Sequence, residues 1–255
     1  MPLTVSGQIN PNRRAKLDPA LLPLLILLWG SMGVFVLYPL ARLLYMVFVV
    51  DGAGSLANLA KAFSSWYNRK ALVDSLILAA SVATSGTFLG FLFAFCVTRV
   101  SLPRAIKWFL GAVVVLPFVS PPFTSSIALT LALGPNGLLL KLLHVPGFNI
   151  YGFLGTWIAE TLTYFPVAFL TLAAVLGAID PNLEDAAMSM GGSRWRTFRT
   201  ITLPLSIPGL ANAYLLLFGS SLTDFATPLV MAGHTFPVLP TQAYLQITGM
   251  YDLQG

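Results

Sequence analysis

The sequence predicts an all-α fold, a polytopic helical membrane protein, on three observations. Apolar residues make up 56% of the 255 and charged residues only 9%, with a mean hydropathy of +0.81, outside the balance of a soluble globular domain. Five apolar runs in the chain are each long enough to supply the roughly 20 residues a helix needs to cross about 30 Å of hydrocarbon. The 14 Lys and Arg behind the net charge of +5 fall in twos and threes between those runs, not on one stripe, so they read as membrane orientation and not as a nucleic-acid surface.

Taken in order, residues 1–19 form a cytoplasmic tail carrying Arg13, Arg14 and Lys16. The first run, from Ala20 to Val49, is too long for a signal peptide and lacks a small-residue cleavage site, so it is a retained helix. The second runs from Ala71 to Thr98, the third from Lys107 to Leu133, the fourth from Ile150 to Ile179 and the fifth from Ile207 to Phe225. With the N-terminus inside, nine basic residues lie in the cytoplasm: Arg13, Arg14, Lys16, Arg99, Arg104, Lys107, Arg194, Arg196 and Arg199. Lys61, Arg69, Lys70 and Lys141 fall outside and Arg42 near the outer end of the first span, the asymmetry that the positive-inside rule requires.

Pro117, Pro121 and Pro122 break the third span, since each removes a backbone donor and clashes with the preceding turn. The break reads either as an irregular element beside a pathway or as a packed kink. Five spans leave Pro228 to Gly255 on the outer side without a sixth apolar run, and a sixth span is expected beyond Gly255. Nothing marks a repeat or a polar linker, so residues 20–255 read as one membrane domain.

Chemistry outside transport finds little support. Cys96 is the single cysteine, so there is neither an intrachain disulfide nor a thiol-rich metal site. His144 and His234 stand alone as outer-loop residues, with no H-E-x-x-H and no Ser, His and acid grouping. No G-x-x-x-x-G-K-[ST] phosphate loop occurs, so the chain binds no ATP by that cradle. Two acids stand at membrane depth, where a charge costs about 2.5–3.5 kcal/mol on insertion scales. Glu160, in Glu-Thr-Leu-Thr-Tyr-Phe-Pro, faces a polar cavity or sits at the outer interface. Asp224, in Ser-Leu-Thr-Asp-Phe-Ala-Thr-Pro, lines an outer gate or caps the turn before Pro228.

The most informative segment is the loop from Asp180 to Pro204, which reads as helix, turn, helix. Asp180 is suited to the N-cap and Pro181 to the first helical position, while Glu184 and Asp185 complement the positive end of the helix dipole. Ala186 and Ala187 give a small-residue face, Gly191 and Gly192 end the helix, Ser193 caps the next, and Pro204 is expected to stop it after Leu203. Such a short smooth helix suits a groove on another protein. An amphipathic loop resting on lipid headgroups through Arg194, Arg196 and Arg199 is the other physical reading.

The loop resembles that of binding-protein-dependent ABC importer permeases: an acid, two alanines, three residues, glycine, nine residues, then Ile-x-Leu-Pro. These are Asp185, Ala186, Ala187, Gly191, Ile201, Leu203 and Pro204 at the family spacing. Aspartate stands where the family more often has glutamate, and the resemblance extends the ATPase-coupling set to Glu184 just before it. The resemblance implies the type I importer transmembrane fold and a coupling helix that docks in a cleft of a separate ATP-binding cassette ATPase. That ATPase would carry the ATP and Mg, with no cofactor on this chain. It further implies a second permease subunit or module, a periplasmic or lipid-anchored solute-binding protein, and residence in the bacterial inner membrane.

Residues 221–230 and 241–248 are similar to the corresponding region of iron(III) permeases, which implies ferric iron as solute; related permeases carry polyamines, phosphonates, thiamine or sulfate. Two rival classes remain. An ion-coupled secondary transporter would use Glu160 and Asp224 as carriers of protons or sodium. A non-transporting scaffold would use the loop only to recruit a partner.

Overall fold

A computed structural model describes residues 21–50, 53–121, 123–135, 137–143, 149–233 and 235–248. The basic tail residues Arg13, Arg14 and Lys16, Pro122, and both histidines, His144 and His234, lie outside the described residues.

The chain divides into two compact units, residues 1–64 and 65–255. In the first, α1 (Leu21–Met32) passes through a π-helical turn, Gly33–Leu37, into α2 (Tyr38–Phe48). The turn has a local cause in Pro39. A proline cannot donate, and its ring collides with the carbonyl four residues back. One wide turn, in which the Tyr38 N–H reaches Gly33 O, five residues back, takes up the misfit without breaking the helix. Beyond α2, β1 (Val49–Val50) pairs antiparallel with β2 (Ala53–Gly54), a two-rung ladder that the all-α reading did not foresee, and α3 (Ala57–Ser64) follows. The Asn58 side-chain amide donates to Met46 O at 2.9 Å, fastening α3 to α2.

The second unit is a helical bundle. Its longest member, α4 (Trp66–Arg99), has 34 residues and so extends about 51 Å, more than a bilayer core requires. After a short bend come α5 (Arg104–Val119), α6 (Phe123–Leu133) and α7 (Leu138–Leu143). The third predicted span, Lys107–Leu133, is thus two helices. Pro117 is carried inside α5, and the chain breaks at Ser120–Pro121, where the Thr124 N–H is accepted by Pro121 O at 2.9 Å. By length and hydropathy the apolar stretch here is Phe123–Leu142, displaced toward the C-terminus of the expected run. The other four such stretches, Leu21–Phe48, Trp66–Arg99, Phe153–Ala178 and Arg194–Thr223, overlap the predicted spans.

Next come α8 (Phe153–Ala178), the loop helices α9 (Pro181–Ser189) and α10 (Arg194–Thr197), and a second π turn, Phe198–Thr202, leading into α11 (Leu203–Thr223). The expectation that Pro204 stops the helix is corrected: Leu203 N–H reaches Phe198 O, five residues back, and the helix runs straight on through Pro204. As at Pro39, one wide turn absorbs the proline. Residues after Asp224, which have no apolar run, form α12 (Ala226–Met231) and α13 (Leu239–Ile247).

The core lies where α4, α8 and α11 cross. Small residues at four-residue spacing, Gly86, Gly90 and Ala94, put a buried stripe on α4. At Gly90 an added Cβ would lie 2.6 Å from Ala168 Cβ and 2.8 Å from Phe169 N, so the two backbones approach as closely as a side-chain-free residue permits. On α11, Gly209 makes room for the Val175 side chain, whose two methyl carbons would lie 2.8 Å from an added Cβ. Around these contacts Phe165, Phe169, Leu172, Leu176, Ala213 and Leu217 form one apolar cluster. Hydroxyls add cross-ties within the bundle: Trp157 Nε1 donates to Ser85 Oγ at 3.0 Å, and Ser85 and Thr161 hydroxyls lie 2.9 Å apart.

Candidate functional site

At the end of the bundle where α4 finishes and α11 begins, local chemistry builds the loop as its residues predict. Asp180 caps α9 by accepting from Asn182 N–H at 2.9 Å, and Pro181 occupies the first turn. The helix closes in a Schellman turn, with Gly192 N–H to Ala187 O and Gly191 N–H to Met188 O, each 3.0 Å. Gly191 has φ +85°, the left-handed region that favours glycine. Ser193 then caps α10 through Arg196 N–H at 3.3 Å.

The two adjacent acids are separated by tertiary structure. Glu184 turns inward: its Oε1 lies 3.2 Å from Arg99 Nε and accepts from the Thr202 hydroxyl at 2.7 Å. Asp185 and Ala186 are exposed, Ala187 is half-buried, and no residue of α9 is buried. Leu183 and Met190 are exposed with Ala186 at i, i+3 and i+7, the spacing of one helix face. Ile201 and Leu203 are half-buried and Pro204 exposed, all three on the continuous helix leading into α11. Trp195, 69% exposed, stacks on Phe198 at 5.5 Å between ring centres.

The second group lies inside the bundle and unites the two intramembrane acids. Glu160 on α8 is fully buried within the bundle. Its Oε2 accepts a short hydrogen bond from the Ser221 hydroxyl on α11. One turn along α8, Tyr164 donates to Asp224 Oδ2 at 3.0 Å. Asp224, 8% exposed, accepts through Oδ1 from the N–H groups of Ala226 at 2.9 Å and Thr227 at 3.2 Å, so it caps α12. These are the bonds that the capping reading of Asp224 expects.

Sequence reasoning missed four participants: Arg99, Thr202, Tyr164 and Ser221. The spacings Glu160-x-x-x-Tyr164 and Ser221-x-x-Asp224 put each pair on one helix face, a legible signal. That the two faces meet was not legible. Among the described residues, no cluster of three or more His, Cys, Asp or Glu could hold a metal ion.

Apolar spans with acids paired inside their bundle, and a capped helix pair projecting from one end, define a polytopic membrane protein of transporter type. The chain belongs to the family of binding-protein-dependent transport system inner membrane components, whose sequence profile matches residues 86–251. The ferric transport system permease protein FbpB of Actinobacillus pleuropneumoniae is 33% identical over 236 residues, covering 90% of this chain and 33% of that one. This chain therefore spans about a third of the length of that relative. The molybdenum transport system permease protein ModB of Escherichia coli K12 is 30% identical over 167 residues, 64% of this chain and 70% of that one. In fold, the chain is similar to a bacterial alginate ABC transporter solved in complex with an alginate pentasaccharide-bound periplasmic protein. The TM-score is 0.77 at 18% identity, over 91% of this chain and 84% of that one.

Proposed function

We propose that this chain is the transmembrane permease part of an ATP-driven importer of the bacterial inner membrane, with its N-terminus in the cytoplasm and ferric iron as its solute. The observation that carries the reading is α9: capped at both ends, with Leu183, Ala186 and Met190 exposed on one face and Asp185 beside them. A helix that offers anchors at i, i+3 and i+7 fits a groove on a partner protein, and the partner is an ATP-binding cassette ATPase that holds ATP and Mg. Asp185, Ala186, Ala187, Gly191, Ile201, Leu203 and Pro204 form the coupling segment. A second permease subunit or module and a solute-binding protein complete the transporter; the binding-protein-bound alginate transporter of similar fold supports the latter.

Ferric iron as solute is supported by the likeness to FbpB, which extends over nine-tenths of the chain. The likeness to ModB favours a second reading, an oxyanion importer. One experiment addresses partner and solute together. The full-length protein, isolated gently from native membranes, is expected to bring a P-loop ATPase with it, and Ala186→Arg to lose that ATPase. In cells, radiolabelled ferric iron is expected to enter in a manner dependent on this protein. Uptake of molybdate or sulfate instead selects the second reading. Absence of an ATPase under conditions that preserve a known importer overturns the proposal and favours an ion-coupled transporter.

A further inference from the structure

We infer that Arg99 is a positioning residue that ties the coupling segment to the ends of α4 and α8, so that displacement of α9 is passed to both spans. The inference rests on the importer reading and adds to it how movement at the loop enters the bundle.

Arg99 is the last residue of α4, and its side chain is 10% exposed. Its Nη2 donates to Leu176 O at 3.0 Å and Ile179 O at 3.1 Å. These carbonyls lie at the C-terminal end of α8, where Leu176 O also accepts from the Ile179 N–H at 3.3 Å and a cation is favoured by the dipole. The Nε of the same guanidinium forms an ion pair with Glu184 Oε1 on α9 at 3.2 Å without a hydrogen bond, and that oxygen accepts from Thr202 in the π turn before α11. One planar cation therefore joins α4, α8 and α9, and one carboxylate oxygen joins this group to the helix that becomes α11.

Apolar packing does not supply an equivalent tie. No residue of α9 is buried, and a cavity of about 570 Å³ opens beside the ion pair, lined by Phe95, Glu184, Met188, Phe198 and Thr202 among others. Ile179 and Asp180 already join α9 to α8 through the chain itself, so across a gap of that size the polar contact at Arg99 is what brings the end of α4 into the same movement. Arginine suits the task because its planar guanidinium donates to both carbonyls through Nη2 while its charge faces the carboxylate from Nε, an arrangement the compact lysine ammonium does not reproduce.

The test uses the complete transporter, with its ATPase and binding protein, in proteoliposomes. Arg99→Met and Glu184→Gln are each compared with wild type for solute imported per ATP hydrolysed and for amide hydrogen exchange over residues 183–190. The expected result is an ATPase that stays bound and active, uptake per ATP lower by roughly tenfold, within the usual range of coupling between sites, and faster exchange in α9. Arg99→Lys should fall between. Glu184 is 19% exposed, so Glu184→Gln serves if Arg99→Met fails to fold. A wild-type ratio in the folded variants, or uptake and hydrolysis falling in parallel, overturns the role of Arg99 while the importer reading stands. A wild-type complex without ATP-dependent uptake overturns that reading and this inference with it.

Discussion

The Ser221 hydroxyl on α11 donates to Glu160 Oε2 on α8 across 61 residues of sequence, deep in the bundle. Next to it, the Tyr164 hydroxyl meets Asp224 Oδ2. Each acid thus meets a hydroxyl donor from the facing helix, and Asp224 two backbone N–H groups besides, while the second oxygen of Glu160, Oε1, is buried without a hydrogen-bond partner. Glu160→Gln keeps an acceptor for Ser221, whereas Glu160→Ala removes it and leaves a hole. Thermal unfolding of the purified protein should therefore rank Gln well above Ala, with Ala costing about 2 kcal/mol or more. Tyr164→Phe should be milder, about 1 kcal/mol, because Asp224 retains its backbone donors. Equal unfolding temperatures for Glu160→Gln and Glu160→Ala would mean that the Ser221 contact contributes nothing.

Glycines in this chain differ in what they permit. Gly90→Ala places a methyl against Ala168 and the Phe169 backbone, so α4 and α8 must separate; the expected loss is about 1–3 kcal/mol. At Gly177, in the last turns of α8, an added Cβ meets nothing within 4 Å, and alanine should instead stabilise by about 0.5–1 kcal/mol through reduced chain entropy. Opposite shifts in unfolding temperature for the two variants check the close crossing of the helices. A loss at Gly177 equal to that at Gly90 would refute it.

The turn at Gly191 separates folding from docking. Its φ of +85° is closed to proline, whose ring holds φ near −65°, while asparagine tolerates the left-handed region. Gly191→Pro should release the ATPase during purification and abolish uptake, yet move the unfolding temperature little, because the loop is outside the apolar core. Gly191→Asn should keep the ATPase. Retention by the proline variant would show that the turn does not shape the docking surface.

The match between sequence and structure follows the range of the interactions. Asp180, Pro181, Gly191 and Ser193 act within a few residues of themselves, so their caps and turn were legible in the linear order. The spans followed from hydropathy, since every backbone donor and acceptor in a bilayer must be paired within the segment. Pro204 was misread because a wide turn just upstream absorbs its ring, as happens at Pro39, and the helix continues.

By itself, then, the sequence determined a helical membrane chain, the position of four of its five spans and the caps and glycine turn of the 180–204 loop, all governed by contacts between near neighbours. Only the tertiary structure decided that Glu184 faces Arg99 while Asp185 faces outward, and that Glu160 and Asp224 find their hydroxyl partners on facing helices. Those choices depend on which faces of α4, α8 and α11 meet. The meeting is set by where small residues let backbones approach, a property of pairs of helices that no single stretch of sequence carries.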